Sequence, residues 1–200
     1  NVHLIDRFDI PESWPRYWSV DFGFRNPFVC QWWAEDPDGK LILYREIYHT
    51  NKTVAQHAKD ILAIMQRKLP DGTIEWTEPV PHAILCDHDA EGKAVLEEKL
   101  GLGTQNAHKS VKEGIESVQD RLAAGTIALM RDSVVTVDPI LRDSGRPTCT
   151  QEEIVGYVWR MGPNGRIMDE PVKENDHGMD AKRYMVAEKD VKPKPRVRFM

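Results

Sequence analysis

The sequence predicts an α/β fold: a mixed sheet in which an antiparallel three-strand meander is joined by parallel strands and flanked by helices. Three apolar runs separated by short turns predict the meander over residues 17–48. After the meander, helical periodicity alternates with short apolar strands, which is typical of α/β domains. The chain has 200 residues, 40% hydrophobic and 30% charged. This length and composition suit one domain with its own core.

The meander has strong local signals. Residues 17–24 and 28–34 have the composition of strands, and the second is rich in aromatic side chains. The sequence DPDGK at residues 36–40 is a hairpin turn, and residues 41–48 form the third strand. These three strands are expected to pair in sequence order.

Helices and strands then alternate. Thr53 is the predicted N-cap of a helix whose apolar spacing runs to Leu69, before the sequence PDG at residues 70–72. A short buried strand follows at residues 83–87. The remaining predicted elements are a helix from the N-cap Asp89 to Leu100, a helix from Ser110 to Gly125, strands over residues 126–131 and 154–159, a turn over residues 162–165 and a last helix over about 176–189.

This order of elements indicates an RNase H-like arrangement, in which a meander feeds a strand that a helix connects back to the sheet. In that topology the first strand is central and the fourth lies beside it. Adjacent strand ends bring Asp21 and Asp87 together, and a late helix places Asp180 opposite them.

These three acidic residues carry the main chemical signal. Asp21 and Asp87 each end an apolar run, and Asp180 lies at the start of the last helix. A carboxylate at the end of a buried strand costs free energy unless it is neutralised, and three carboxylates in one place repel one another. Divalent cations, which prefer oxygen ligands, remove both costs, and such sites commonly act on phosphate esters. The sequence therefore predicts a divalent-metal site.

Composition narrows the classes of function. The formal net charge of −5 argues weakly against general nucleic-acid binding, but carboxylates that bind metal do not repel DNA once loaded. No segment has the length and apolarity of a membrane span, and the N-terminus lacks a signal-peptide layout. Cys30, Cys86 and Cys149 match no zinc spacing or disulfide framework, which favours a reducing compartment.

Several segments resemble the nuclease domain of phage terminase large subunits. Residues 18–23 (WSVDFG) resemble its first acidic motif, residues 85–91 (LCDHDAE) its second and residues 175–184 (NDHGMDAKRY) its closing motif. Residues 107–127 resemble the middle of the domain. The resemblance covers nearly the whole chain, and the closing motif is the most specific part.

The resemblance implies an endonuclease that cuts concatemeric viral double-stranded DNA during genome packaging, using two Mg²⁺ or Mn²⁺ ions. Asp21, Asp87 and Asp180 become the catalytic metal ligands. The implied partners are double-stranded DNA and, in the full-length protein, the small terminase subunit, the portal and an N-terminal ATPase domain, with no membrane. The implied location is the cytoplasm of the infected host cell and not the mature virion.

The domain organisation is expected to be that of a fragment, since the chain begins without Met and contains no G-x-x-x-x-G-K-[ST] phosphate loop. Residues 1–15 are predicted to be a lead-in from a missing N-terminal ATPase domain. Residues 16–190 form the RNase H-like nuclease domain, and residues 191–200 form a basic, proline-containing tail.

Three more residues are candidate metal ligands with an alternative role. Asp89 would share a face with Asp87 if the strand continued, but it precedes a helix, where capping is the commoner role. His177 lies three residues before Asp180 on one helix face, so it is a candidate ligand, a proton carrier or a surface residue. Asp176 is a candidate ligand or an acid at the helix start.

Basic residues supply the candidate DNA contacts. Lys109, in the segment that resembles the middle of the family, contacts the phosphate or orients water, or is an ordinary surface lysine. Arg183 is expected to pair with a nearby acid. The tail has a basic residue at every second position, so an extended tail suits a DNA backbone, whereas a disordered one only aids solubility. These tail residues are Lys192, Lys194, Arg196 and Arg198.

Two alternative functions stay open from the sequence alone. The first is another RNase H-like nuclease, such as a junction resolvase or an integrase-type strand-transfer enzyme, and activity confined to four-way junctions would favour it. The second is a non-catalytic docking module for the portal or motor, which predicts neither metal dependence nor cleavage.

Overall fold

The structure, a computed structural model, describes residues 3–191 except positions 155, 158, 162, 163, 165 and 166. The strands are β1 (Leu4–Ile5), β2 (Arg16–Asp21), β3 (Phe28–Glu35), β4 (Leu41–His49), β5 (Gln66–Lys68), β6 (Ile74–Trp76), β7 (Ala83–Cys86), β8 (Gln105–Asn106), β9 (Ile127–Met130), β10 (Trp159–Met161) and β11 (Ile167–Pro171). The helices are α1 (Val54–Met65), α2 (Ala90–Leu100), α3 (Val111–Ala124), α4 (Pro139–Asp143), α5 (Thr150–Glu153) and α6 (His177–Asp190).

A seven-stranded mixed sheet with the order β1-β9-β4-β3-β2-β7-β8 forms the centre of the molecule. Strands β2, β3 and β4 pair antiparallel as the predicted meander, and β7 and β9 add in parallel to β2 and β4. Strand β2 is therefore central, with the fourth predicted strand, β7, beside it. The predicted RNase H-like arrangement is confirmed.

Helices cover both faces of this sheet, which is why its strands are apolar on both sides. Because side chains alternate along a strand, Trp32 packs in the core under α1 and α2, while Trp33 packs in the core under α3 and α6. No helix in the described part of the chain is long and apolar enough to cross a membrane.

The predicted helix ends agree with the structure at most positions. Thr53 and Gln56 form a capping box at the start of α1. Helices α2 and α3 both end at a glycine in the left-handed conformation, Gly101 with φ 68° and Gly125 with φ 70°. Local turn and cap chemistry therefore determines these boundaries.

Helix α1 ends earlier than predicted, at Met65 instead of near Leu69. The backbone of Gln66 is extended, and β5 pairs antiparallel with β6 in a hairpin that was not predicted from the sequence. Residues 70–72 thus form the turn of this hairpin and not a helix stop. Tertiary pairing overrides the helical periodicity here.

The N-terminal segment contributes to the central sheet and to the core. Strand β1 pairs in parallel with β9, Leu4 opposite Leu129. Ile10 and Trp14 also pack against the core under α1 and α2. Residues 4–15 are therefore part of the folded unit.

Of the predicted strand over residues 154–159, positions 155 and 158 lie outside the described residues, and among the others only Trp159 lies in a strand. Helix α5 ends at Glu153, and the strand in this region, β10, begins at Trp159 and pairs with β11. Most of the predicted turn at 162–165 lies outside the described residues. The four basic candidates of the tail, Lys192, Lys194, Arg196 and Arg198, also lie outside them.

Candidate active site

The three predicted ligands line one polar cavity of about 620 Å³. Asp21 ends β2, Asp87 follows β7, and Asp180 lies in the first turn of α6. The parallel pairing of β2 with β7 brings the first two to one edge of the sheet, since Val20 is the register partner of Cys86. The packing of α6 against β2 brings the third to the same place.

Asp21 is buried, and both of its carboxylate oxygens are hydrogen-bonded. The Tyr184 hydroxyl donates to its Oδ1 at 2.9 Å, and His177 Nδ1 lies 2.9 Å from its Oδ2. Burial raises the pKa of Asp21, the negative charge of Asp180 raises it further, and the bond to His177 opposes both. Burial alone would lower the pKa of His177, but Asp21 outweighs it and raises that pKa. Both shifts favour a proton lying between Nδ1 and Oδ2.

Asp180 is buried between two cations. Arg183 lies 3.0 Å from its Oδ1, in agreement with the pairing predicted from the sequence, and Lys173 Nζ lies 3.0 Å from its Oδ2. Lys173 also contacts Asp176 Oδ2 at 3.0 Å. Burial would lower the pKa of Lys173, but Asp180 and Asp176 outweigh it and raise that pKa.

Asp87 is more open to solvent, with 52% of its side chain exposed. Its Oδ1 accepts the His88 amide at 2.6 Å. The pKa of the nearby Tyr184 phenol is raised by burial, and then by the charges of Asp21, Asp180 and Asp87. Because three carboxylates act on one phenol, the cavity concentrates negative charge.

The chemistry of this donor set fits a hard divalent cation, which prefers carboxylate oxygens. Among the described residues, however, no three His, Cys, Asp or Glu side chains lie close enough together to hold an ion without moving. Lys173 and His177 now neutralise the carboxylates of Asp180 and Asp21. The carboxylates would have to move closer together to share an ion.

The other candidates fall into two groups. Asp176 and His177 line the cavity with the three acids. Asp89 does not; its Oδ1 accepts the amides of Glu91 and Gly92 at 3.1 Å each, so it caps α2. Lys109 is exposed just before the N-cap of α3 and does not line the cavity either.

Among the cavity residues that were not predicted from the sequence as part of the site are Tyr184, Lys173 and Arg146. Tyr184 had a usable signal, since it lies four residues after Asp180 on one face of α6. Lys173 and Arg146 come from irregular segments, where no periodicity indicates which way a side chain points. Their place depends on tertiary structure alone.

A buried polar layer forms hydrogen bonds with the first residues of α6. The Glu153 carboxylate accepts the Met179 amide at 2.8 Å, and Gln31 Nε2 donates to the Gly178 carbonyl at 2.8 Å. Thr150 joins this layer by accepting from Gln31 at 2.6 Å and donating to the buried carboxylate of Glu46. The layer fixes the position of the first turn of α6, and therefore the positions of His177 and Asp180.

Gly178→Ala should destabilise the protein by about 1–3 kcal/mol, the usual cost of overpacking. A Cβ at Gly178 would lie 2.2 Å from Thr150 Oγ1 and 3.0 Å from Thr150 Cα, so backbone must shift. Urea unfolding measures the loss. Gly103→Ala is the matched control, because nothing lies within 4 Å of its Cβ position. Equal stability of the two variants would contradict the close packing of α5 on α6.

Solved structures with the same fold include nuclease domains of phage large terminases. The P22 large terminase nuclease domain has a TM-score of 0.65 and 17% identity, covering 94% of this chain and 88% of that one. The nuclease domain of the bacteriophage SPP1 large terminase, solved with bound Mn, has a TM-score of 0.59 and 16% identity, covering 88% and 86%. The fold that the motif resemblance implied is therefore confirmed.

A longer protein also contains this fold. The large terminase of the thermophilic bacteriophage D6E has a TM-score of 0.69 and 23% identity, covering 93% of this chain. The chain spans only 41% of that protein. No protein-family model and no curated protein sequence matches the chain.

Proposed function

We propose that this chain is the nuclease portion of a phage large terminase, a metal-dependent endonuclease that cuts concatemeric viral double-stranded DNA during genome packaging. The observation that carries the proposal is the convergence of Asp21, Asp87 and Asp180 on one polar cavity. The match to terminase nuclease domains over most of the chain supports it, as does the Mn bound to the SPP1 domain.

In this proposal Asp21, Asp87 and Asp180 would hold two Mg²⁺ or Mn²⁺ ions. Bound divalent ions supply Lewis-acid activation of water and stabilise the charge that develops on the departing 3′ oxygen. The Tyr184 hydroxyl fixes the orientation of Asp21 through its bond to Oδ1. His177 holds a proton at Nδ1 beside Asp21, where it is able to pass a proton to or from groups in the cavity.

The proposal extends to the longer protein. A packaging ATPase would lie N-terminal to the nuclease domain. The nuclease domain would end near residue 190, before the basic tail. The small terminase subunit and the portal would be partners of the full-length protein. The D6E large terminase, much longer than this chain, was solved with ADP. We place the activity in the cytoplasm of the infected host cell, and not in the mature virion.

The test is cleavage of supercoiled plasmid DNA by the purified protein. We expect nicked and then linear plasmid in Mn²⁺ or Mg²⁺, and intact plasmid when EDTA removes the metal, because the three carboxylates cannot activate water alone. A four-way junction and its linear duplex arms serve as parallel substrates. Cleavage of the junction only would indicate a resolvase, and no cleavage in either metal would favour the docking module.

A further inference from the structure

The cavity holds more acid than base. Its lining carboxylates are Asp21, Asp87, Glu174, Asp176 and Asp180, and its lining basic side chains are Arg146, Lys173 and His177. A DNA strand that enters such a cavity brings further negative charge. Metal ions offset part of this repulsion, but a basic side chain that is not already committed to a carboxylate would attract the strand directly.

Arg146 is the basic residue of the cavity that meets this condition. Lys173 is held by Asp176 and Asp180, and His177 by Asp21. The guanidinium of Arg146 forms no ion pair with a carboxylate of any described residue, and its bond is a long one, 3.5 Å from Nε to Asn175 Oδ1. Most of its five N–H donors are therefore available for a ligand.

The backbone of Arg146 is fixed, although it lies outside regular structure. Its amide donates to the Leu141 carbonyl at 3.0 Å, in a turn where Gly145 has φ 70°. Two residues further, the Thr148 amide donates to the Glu152 carboxylate at 2.7 Å. The half-buried side chain is thus presented to the cavity from a held segment, so little conformational entropy is lost when it binds a ligand.

We infer that Arg146 is a substrate-positioning residue, which binds a backbone phosphate of the DNA strand that lies in the cavity. A planar guanidinium with free donors matches two oxygens of a phosphate, and its weak hydration favours a half-buried site. The inference rests on the proposed nuclease function. It assigns Arg146 to the substrate, whereas Lys173 and His177 serve the carboxylates.

Arg146→Ala should raise KM for duplex DNA roughly tenfold, the effect of losing one charge-assisted contact. We expect a smaller change in kcat and no change in the Mn²⁺ concentration that gives half-maximal rate. Arg146→Lys keeps the charge but not the paired donors, so KM should be intermediate. The measurements are cleavage kinetics on a fluorescein-labelled duplex and Mn²⁺ binding by calorimetry, with thermal melting to verify folding.

Arg142→Ala is the matched control, since Arg142 lies on the same segment but is exposed and paired with Asp143. It removes the same charge outside the cavity and should leave KM unchanged. If Arg146→Ala behaves like Arg142→Ala, or if it weakens Mn²⁺ binding, the assignment of Arg146 is wrong while the nuclease function stands. A wild-type protein that neither cuts nor binds the duplex in Mn²⁺ overturns the nuclease function itself.

Discussion

Asp21→Asn and Asp180→Asn should each reduce DNA cleavage by roughly a thousandfold or more, because each removes a charge on which the metal site depends. Asn has the shape of Asp, so the amide oxygen introduced by Asp21→Asn is able to accept the bond from Tyr184, which in the wild type is 2.9 Å long. Folding should therefore persist. Plasmid cleavage in Mn²⁺ measures activity, and calorimetry should show weaker Mn²⁺ binding by both variants.

Asp120→Asn is the control for this pair, because Asp120 is exposed on α3 and does not line the cavity. It makes the same chemical change and should leave cleavage at the wild-type rate. If Asp21→Asn and Asp180→Asn both still cut plasmid in Mn²⁺, the site is misassigned.

A second large effect is expected on the pH dependence of stability. It arises in the buried polar layer at the start of α6, where Glu46 and Glu153 are both buried. Burial raises the pKa of Glu46 from 4.5 to about 7, and that of Glu153 to about 8. Between pH 4.5 and these values the folded protein binds more protons than the unfolded chain. The free energy of unfolding therefore falls as pH rises through this window, and the stability these groups give is complete only below the unfolded pKa.

Glu46→Gln should remove the part of this pH-dependent loss of stability that Glu46 causes. The pKa shift of Glu46 corresponds to roughly 3 kcal/mol at pH 8, so the variant should be more stable than wild type there by up to that amount. At pH 4.5 the two proteins should differ little, since Gln resembles the protonated acid. Urea unfolding at a series of pH values measures the difference.

Exposed Glu116 on α3 provides the comparison for this experiment. Glu116→Gln deletes one carboxylate without touching the buried layer, so its stability should follow the wild-type dependence on pH. A Glu46→Gln protein with the same slope as wild type would show that Glu46 is not buried as the structure has it.

Local chemistry explains why much of this fold was predictable. The meander is predictable from three apolar runs and from a hairpin turn with a typical turn composition. The capping role of Asp89 is predictable from the residue preference at a helix start. Asp21 and Asp87 stand out because each ends an apolar run. The strand order brings these two together, and the packing of α6 against β2 adds Asp180 to the same cavity.

Non-local contacts explain what the sequence did not reveal. Glu46 and Glu153 look like ordinary polar positions. Their buried partners are distant in the chain: Glu46 accepts from Thr150, 104 residues later, and Glu153 accepts from Tyr48, 105 residues earlier. The hairpin of β5 and β6 was hidden by helical spacing that continued past Met65. Arg146 and Lys173 reach the cavity from segments without periodicity, so no pattern in the sequence indicates them.

The distribution of the site along the chain has a consequence for biosynthesis. Asp21 is synthesised before its partners His177 and Tyr184, which follow 156 and 163 residues later. Contacts of such sequence separation form slowly, and a nascent chain exposes its N-terminal elements to the solvent first. The sheet strands all precede α6, yet a chain still on the ribosome lacks the last carboxylate. No product truncated before α6 therefore carries the whole acidic site.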